Sequence, residues 1–282
     1  MIIKNNNEIK QFNAHILVVE DNKVNQRVAQ GMLEKFGVDV DLAANGEEAM
    51  SLLEQGSYDL IFMDCQMPVL NGFETTRKIR DQESKVNNHA IPIIAMTANA
   101  LQGDRNRCIA SGMDDYISKP VRASKVQQML EQWLPDSHHQ FAAQDIEIDE
   151  MITQQPSETE PFQVGKIQQG AVTVFDYIAM SERLMGDKEL ISTVAEVFLS
   201  DIPGQIEQLQ LLVKTGDVEQ IAGLAHKIKG ASANVGGMAL SESAFKMEQA
   251  GKVGDLDTIR QRMFELTQSF VELKTAMEDV FL

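Results

Sequence analysis

Between His15 and Trp133 five short apolar runs, "HILVV", "VDVDLA", "YDLIFM", "IPIIAM" and "DDYI", alternate with longer amphipathic stretches. Runs of this length suit strands, and each intervening stretch is long enough for the crossover helix that parallel neighbours require. The pattern predicts an α/β unit over residues 14–135: a doubly wound, five-stranded parallel sheet with helices on both faces. Ligands of such sheets bind beyond the carboxyl ends of the strands, so the residues that follow each run are candidates for chemistry.

Those residues form a coherent set. Glu20 and Asp21 follow "HILVV", Asp64 follows "YDLIFM", Thr97 follows "IPIIAM", and Lys119 with Pro120 comes just after "DDYI" and Ser118. Three carboxylates brought together repel one another unless a cation holds them, and an oxygen-only donor set suits Mg²⁺. Asp64, alone at the end of the central strand, is the natural nucleophile. With Mg²⁺ on one side, a hydroxyl donor at Thr97 and a point charge at Lys119, a phosphoryl group on Asp64 would be neutralised from three directions.

From Pro135 to about Val172 the texture changes to "DSHHQFAAQDIEIDE" and "TQQPSETEPFQ", polar and acidic without a sustained period. Residues 136–173 read as an acidic flexible linker that includes His138 and His139, and as a coil it would span roughly 35 Å. Residues 174–282 show apolar positions three and four apart and no strand pattern, which predicts an all-α four-helix bundle. Pro203 is expected to kink or interrupt its long helix.

Within this second unit, "AHKIKGASANVG" puts Ile221, Leu224, Ala225, Ile228, Ser232 and Val235 on one helical face and His226 nearly opposite. Ala222, Gly223, Lys229, Gly230 and Ala233 surround the imidazole, so a partner could approach it without meeting bulky side chains. A lone exposed histidine is ordinary surface. Two glycines beside it, each costing a helix about 1 kcal/mol against alanine, argue that clearance matters more here than helicity. Asp217 and Gln220 supply the cap that starts this helix.

The net charge of −17 leaves no segment with the basic face that nucleic acid needs. No apolar run approaches the ~18 residues of a membrane span, and the first thirteen residues, read as an N-terminal extension, lack the apolar core of a signal peptide; a soluble, cytoplasmic product without membrane contact is expected. Cys65 and Cys108 form no metal-binding or disulfide spacing and read as buried thiols.

The stretches "LVVEDNKVNQ", "DLIFMDCQMPVLNGFE", "IIAMTANA" and "GMDDYISKPV" resemble the receiver domain of two-component response regulators, in the variety fused to hybrid histidine kinases. The resemblance implies a flavodoxin-like fold in which Glu20, Asp21, Asp64 and the backbone carbonyl of Gln66 bind Mg²⁺. It also implies that Asp64 accepts a phosphoryl group, that Thr97 and Lys119 sense it, that Tyr116 is a mobile aromatic switch, and that the Lys119–Pro120 bond is cis. Asn22 and Asn25 are typical of the hybrid variety. "AHKIKGASANVG" in turn resembles the histidine-containing phosphotransfer (HPt) domain, which implies that His226 carries phosphate. Lys229, one turn on, can steady the phosphoryl charge.

Together these resemblances imply a phosphorelay: an upstream histidine kinase domain, in the same or a separate chain, phosphorylates Asp64. Asp64 passes the group to His226, and His226 passes it to a downstream response regulator. No ATP-binding domain is expected in the chain, and the domain order favours the cytoplasmic tail of a hybrid sensor kinase. Two alternatives stay open. An aspartate-nucleophile phosphatase would want a second acid two residues after Asp64, where Gln66 stands; a docking module without chemistry would want a substituted acceptor.

Overall fold

The computed structural model describes residues 9–97, 102–135, 138–140 and 174–281. A short β1 (Gln11–Phe12) precedes β2 (His15–Val19), α1 (Lys23–Lys35), β3 (Asp39–Ala43), α2 (Gly46–Gln55), β4 (Leu60–Asp64), α3 (Gly72–Arg80), β5 (Ile93–Thr97), α4 (Gln102–Ala110), β6 (Asp115–Ser118) and α5 (Ala123–Trp133). Strands β2 to β6 form one parallel sheet in the order β3-β2-β4-β5-β6. The strand order reverses beside β2, so the carboxyl ends of β2 and β4, paired at Val19 and Met63, open onto one crevice. β4 and β5 are buried along their whole length, which is why their sequences are continuous apolar runs instead of alternating ones. Asp64 and Thr97 are the last residues of these strands, not the first residues of the loops beyond them.

Two expectations are corrected in this half. A second ribbon, β7 (His139–Gln140), pairs antiparallel with β1, and Phe12 lies 1% exposed in the core. The segments 1–13 and 136–173 therefore each contribute a strand to the fold where an extension and a linker were expected. His139 belongs to that ribbon and His138 directly precedes it, its carbonyl accepting from the Asn13 amide at 2.8 Å. The rest of 136–173 lies outside the described residues.

The helical half comprises α6 (Tyr177–Arg183), α7 (Lys188–Thr215), α8 (Val218–Asn234), α9 (Met238–Lys252) and α10 (Leu256–Phe281). Helices α7 to α10 close a four-helix bundle, each packing on the next and α10 returning to α7, with the short α6 laid on α7. Pro203 does not interrupt α7, which runs unbroken from Lys188 to Thr215. Only one amide is lost there, while Ile202 and Ile206 on either side are buried in the bundle and keep the helix continuous. All six residues assigned to the inner stripe of α8 are buried. Asp217 caps α8 by accepting from the Gln220 amide at 3.1 Å, and the Gln220 side chain returns a bond of 2.6 Å to the Asp217 carboxylate.

The two halves are docked. Helix α1 lies against α7 and α8, and the apolar core on that face of the sheet continues into the bundle. Gly31 on α1 makes the close approach possible: a Cβ there would stand 2.3 Å from a methyl of Leu190 on α7. Ion pairs Lys23 to Asp201, at 3.6 Å, and Lys35 to Asp187 flank this contact.

Candidate functional site

The site lies where the carboxyl end of the sheet meets α8. Glu20, Asp21 and Asp64 each offer an oxygen within 4.8 Å of the others. Their positions follow from local structure. Glu20 and Asp21 leave β2 just before Asn22, whose side chain caps α1 by accepting from the Val24 and Asn25 amides at 3.0 and 3.1 Å. Asp64 ends β4, and α3 can start beside it because position 72 is glycine: a Cβ there would fall 2.1 Å from the Asp64 carbonyl oxygen.

Lys119, brought to the crevice by the loop after β6, donates to Glu20 at 2.5 Å and pairs with Asp64 at 2.7 Å. The Lys119–Pro120 peptide is cis. Glu20 also accepts from Asn25 at 2.9 Å, yet burial pushes its carboxyl up to about 7, against the pull of Lys119 and with the help of the neighbouring Asp64 charge. Burial likewise raises Asp21, less the relief given by Lys227. Burial works to lower Lys119, but the Asp64 and Glu20 charges outweigh it and hold its ammonium above the usual range. Two buried acids raised in this way lack positive charge, and their all-oxygen donor set suits a hard divalent cation. Gln66, exposed, donates its amide to Asp64 Oδ1 at 3.1 Å.

Thr97, 6% exposed, lines a small cavity of about 50 Å³ together with Cys65, Gln66, Lys229 and Glu248. Tyr116 is half-buried, with the Arg105 guanidinium 6.0 Å from its ring centre. Cys65 and Cys108 are buried free thiols, as expected, with their sulfurs 3.8 Å apart.

His226 faces this crevice across the docked interface. One cavity of about 250 Å³ is lined by Glu20, Asp21, Asp64 and Lys119 on one side and by His226 and Lys229 on the other, several times the ~30 Å³ a water molecule occupies. The expectation that the ring stands in the open is corrected: its side chain is 14% exposed because the sheet's carboxyl end covers it. Of its small neighbours, Gly223 has nothing within 4 Å, whereas a Cβ at Gly230 would meet the Asn25 side chain at 3.4 Å. A side chain at Gly230 would thus begin to touch α1, whereas one at Gly223 would stand in open space.

Three residues that sequence reasoning did not single out complete the site. Glu248 on α9 is 2% exposed and accepts from His226 Nδ1 at 3.1 Å, from Lys229 at 2.6 Å and from Lys252 at 2.6 Å. Burial pushes its carboxyl up, but these three donors more than offset it and hold Glu248 below the usual carboxylate range. A signal existed: Glu248 interrupts the buried stripe Leu240, Ala244, Met247, Gly251 of α9, where an acid needs a partner. Lys227 pairs with Asp21 at 2.8 Å, and Asn234 donates to Asn25 at 2.8 Å. These two depend on docking, so neither was legible in one helix alone.

Comparison with known proteins follows the same division. Residues 16–131 match the family model of the response regulator receiver domain, and residues 193–280 match that of the Hpt domain. The chain is 38% identical over 128 residues to hybrid signal transduction histidine kinase L of Dictyostelium discoideum, covering 44% of this chain and 8% of that protein. It is 42% identical over 142 residues to histidine kinase 5 of Arabidopsis thaliana, covering 42% and 15%. It thus spans a small fraction of the curated relatives it matches. Among solved structures, it is similar to the receiver domain of sensor histidine kinase PA1611 from Pseudomonas aeruginosa PAO1, described with a coordinated magnesium ion (48% identity, 43% of this chain, 97% of that one, TM-score 0.39). It is also similar to one chain of the co-crystal structure of the Saccharomyces cerevisiae histidine phosphotransfer protein Ypd1 and the receiver domain of Ssk1 (34% identity, 45% of this chain, 90% of that one, TM-score 0.40).

Proposed function

Because this chain belongs to the two-component phosphorelay proteins, with a receiver domain followed by an Hpt domain, we propose that it moves a phosphoryl group internally, from Asp64 to His226. The observation that supports this reading is the shared cavity, lined by Asp64 and Lys119 from the one domain and by His226 and Lys229 from the other. The group arrives on Asp64 from a histidine kinase and leaves His226 for the receiver of a downstream response regulator.

Glu248, held ionised, can only accept hydrogen bonds, so the His226 Nδ1 facing it carries the proton and Nε2 carries the lone pair. Lys229 lies 3.3 Å from the same Nδ1 and donates one of its three N–H groups to Glu248 at 2.6 Å. In the transfer, Nε2 bonds to phosphorus as the bond to the Asp64 oxygen breaks, and the electron pair of that bond returns to the carboxylate. The ring keeps its Nδ1 proton and becomes cationic, and Glu248 stabilises that charge. Lys119 stays with the oxygens of Asp64, and Lys229 is placed to follow the group to the histidine. Glu20, Asp21, Asp64 and the Gln66 carbonyl would hold Mg²⁺, which neutralises phosphoryl oxygens when bound. Thr97 would donate to the same oxygens, and Tyr116 would report the change to the outer face.

Labelling from acetyl phosphate with Mg²⁺ tests the route. In the wild-type chain, label should move from a hydroxylamine-sensitive acyl phosphate to an acid-labile, alkali-stable phosphohistidine. His226→Gln should stop at the first species, and Asp64→Asn should acquire neither. Label reaching His226 in the Asp64→Asn chain from acetyl phosphate as fast as in wild type would refute the internal route. Rapid release of free phosphate by His226→Gln with no stable acyl phosphate would favour the phosphatase reading.

A further inference from the structure

Of the two described ammonium groups that pair with the three carboxylates of the crevice, one comes from the other domain. Lys119 serves Glu20 and Asp64, whereas the ammonium beside Asp21 belongs to Lys227 of α8, 2.8 Å from Asp21 Oδ2. Lys227 is held there at both ends. Its carbonyl accepts from Asn22 Nδ2 at 3.2 Å, and Asn22 is itself fixed as the cap of α1. The same amide-rich strip continues through Asn234 to Asn25 and Glu20. A side chain reaching from an anchored backbone into a neighbouring domain's acid cluster has a defined job.

We propose that Lys227 is a metal-sensitive latch: in the docked state it takes the place beside Asp21 that a divalent cation needs, so cation binding and docking of the Hpt domain oppose one another. The proposal rests on the reading of Glu20, Asp21 and Asp64 as a metal site. Three carboxylates against the single ammonium of Lys119 leave two negative charges, which one divalent cation cancels. Lys227 makes the cluster over-neutral once the cation is present, and it occupies an oxygen that the cation must draw on. Either the lysine swings out or the cation binds less tightly. Coupling between two binding events is reciprocal, so whatever docking costs the metal, the metal costs docking. A phosphoryl group on Asp64 brings further negative charge that accommodates cation and lysine together. Its departure to His226 restores the excess positive charge and so favours separation of the domains after transfer, which gives the relay a direction of release.

Isothermal titration of Mg²⁺ into the full chain at neutral pH tests the latch, because it reads metal affinity without any turnover. Lys227→Ala and the polar, uncharged Lys227→Gln should each bind Mg²⁺ on the order of tenfold more tightly than the wild type, within the range usual for coupled sites. Lys246→Ala removes an ammonium that pairs with Glu242, away from the crevice on α9, and should match the wild type. Equal affinity in the wild type and both Lys227 variants overturns the latch, as does equal tightening by Lys246→Ala, which would mean bulk charge alone. Absence of measurable Mg²⁺ binding in every form overturns the metal reading itself, and is thereby distinguished from failure of the latch.

Discussion

Gly31→Ala separates docking from folding, because the structure gives the two effects opposite signs. Within α1, replacing glycine by alanine removes backbone freedom and stabilises the receiver by about 1 kcal/mol. At the interface the new Cβ would lie 2.3, 2.7 and 3.0 Å from Leu190 Cδ1, Cδ2 and Cγ, all inside ordinary contact distance. Leu190 is 4% exposed and sits at the start of α7, so its branched end has to move, or the helices part, before the new Cβ fits. Overpacking of this kind costs about 1–3 kcal/mol, a loss of roughly five- to more than a hundredfold in the docking equilibrium. The assay is the single-turnover movement of label from Asp64 to His226 in one chain, beside the rate at which acetyl phosphate labels Asp64. Transfer should slow by that factor while labelling of Asp64 is unchanged. Adding Leu190→Ala to Gly31→Ala should recover much of the loss, since it removes the atoms that clash. Wild-type transfer in Gly31→Ala, or no recovery in the double variant, would refute the docked geometry as the transferring one.

Glu248→Gln leaves His226, Lys229 and Lys252 to share one neutral amide oxygen in place of a charged carboxylate and should cost about 1–3 kcal/mol at neutral pH. Because the Glu248 carboxyl is depressed in the folded chain, its contribution is fully present above its ordinary 4.5 and is lost as pH falls through the lower folded value. The gap in unfolding free energy between wild type and variant should therefore close on acidification below about pH 4, and a constant gap would contradict the assignment. The variant should also shift the His226 ring toward a mixed tautomer, read from its ring-nitrogen chemical shifts. Lys119→Ala should keep Mg²⁺ binding while losing acceptance or signalling of phosphate. Asp21→Ala should lose the Mg²⁺ binding itself, so equal loss of Mg²⁺ affinity in both would place Lys119 on the ion instead of the phosphoryl group.

The parallel sheet and the crevice residues were readable in the sequence because burial on both faces leaves continuous apolar runs, and because strand ends place Glu20, Asp21, Asp64, Thr97 and Lys119 by register alone. The inner stripe of α8 was readable by the same logic of period. What one chain segment cannot encode by itself is which surface meets which. Gly31 looks like an ordinary flaw in α1 until Leu190 is set against it, and Lys227 looks like a solvated neighbour of His226 until Asp21 is opposite. The β1 and β7 ribbon escaped for a different reason: two residues per strand give no period to detect. An interruption at Pro203 was expected because proline's local cost was weighed without the packing that offsets it.

The enclosure of His226 also sets a speed limit. Any other receiver must reach the same imidazole that the chain's own domain covers, so the histidine can serve only one client at a time. The apparent affinity for an outside client is reduced by the fraction of chains that stand open. Onward delivery should consequently saturate with rising concentration of the downstream regulator, at a ceiling equal to the rate at which the domains part, and the interface along α1 becomes the throttle of the pathway.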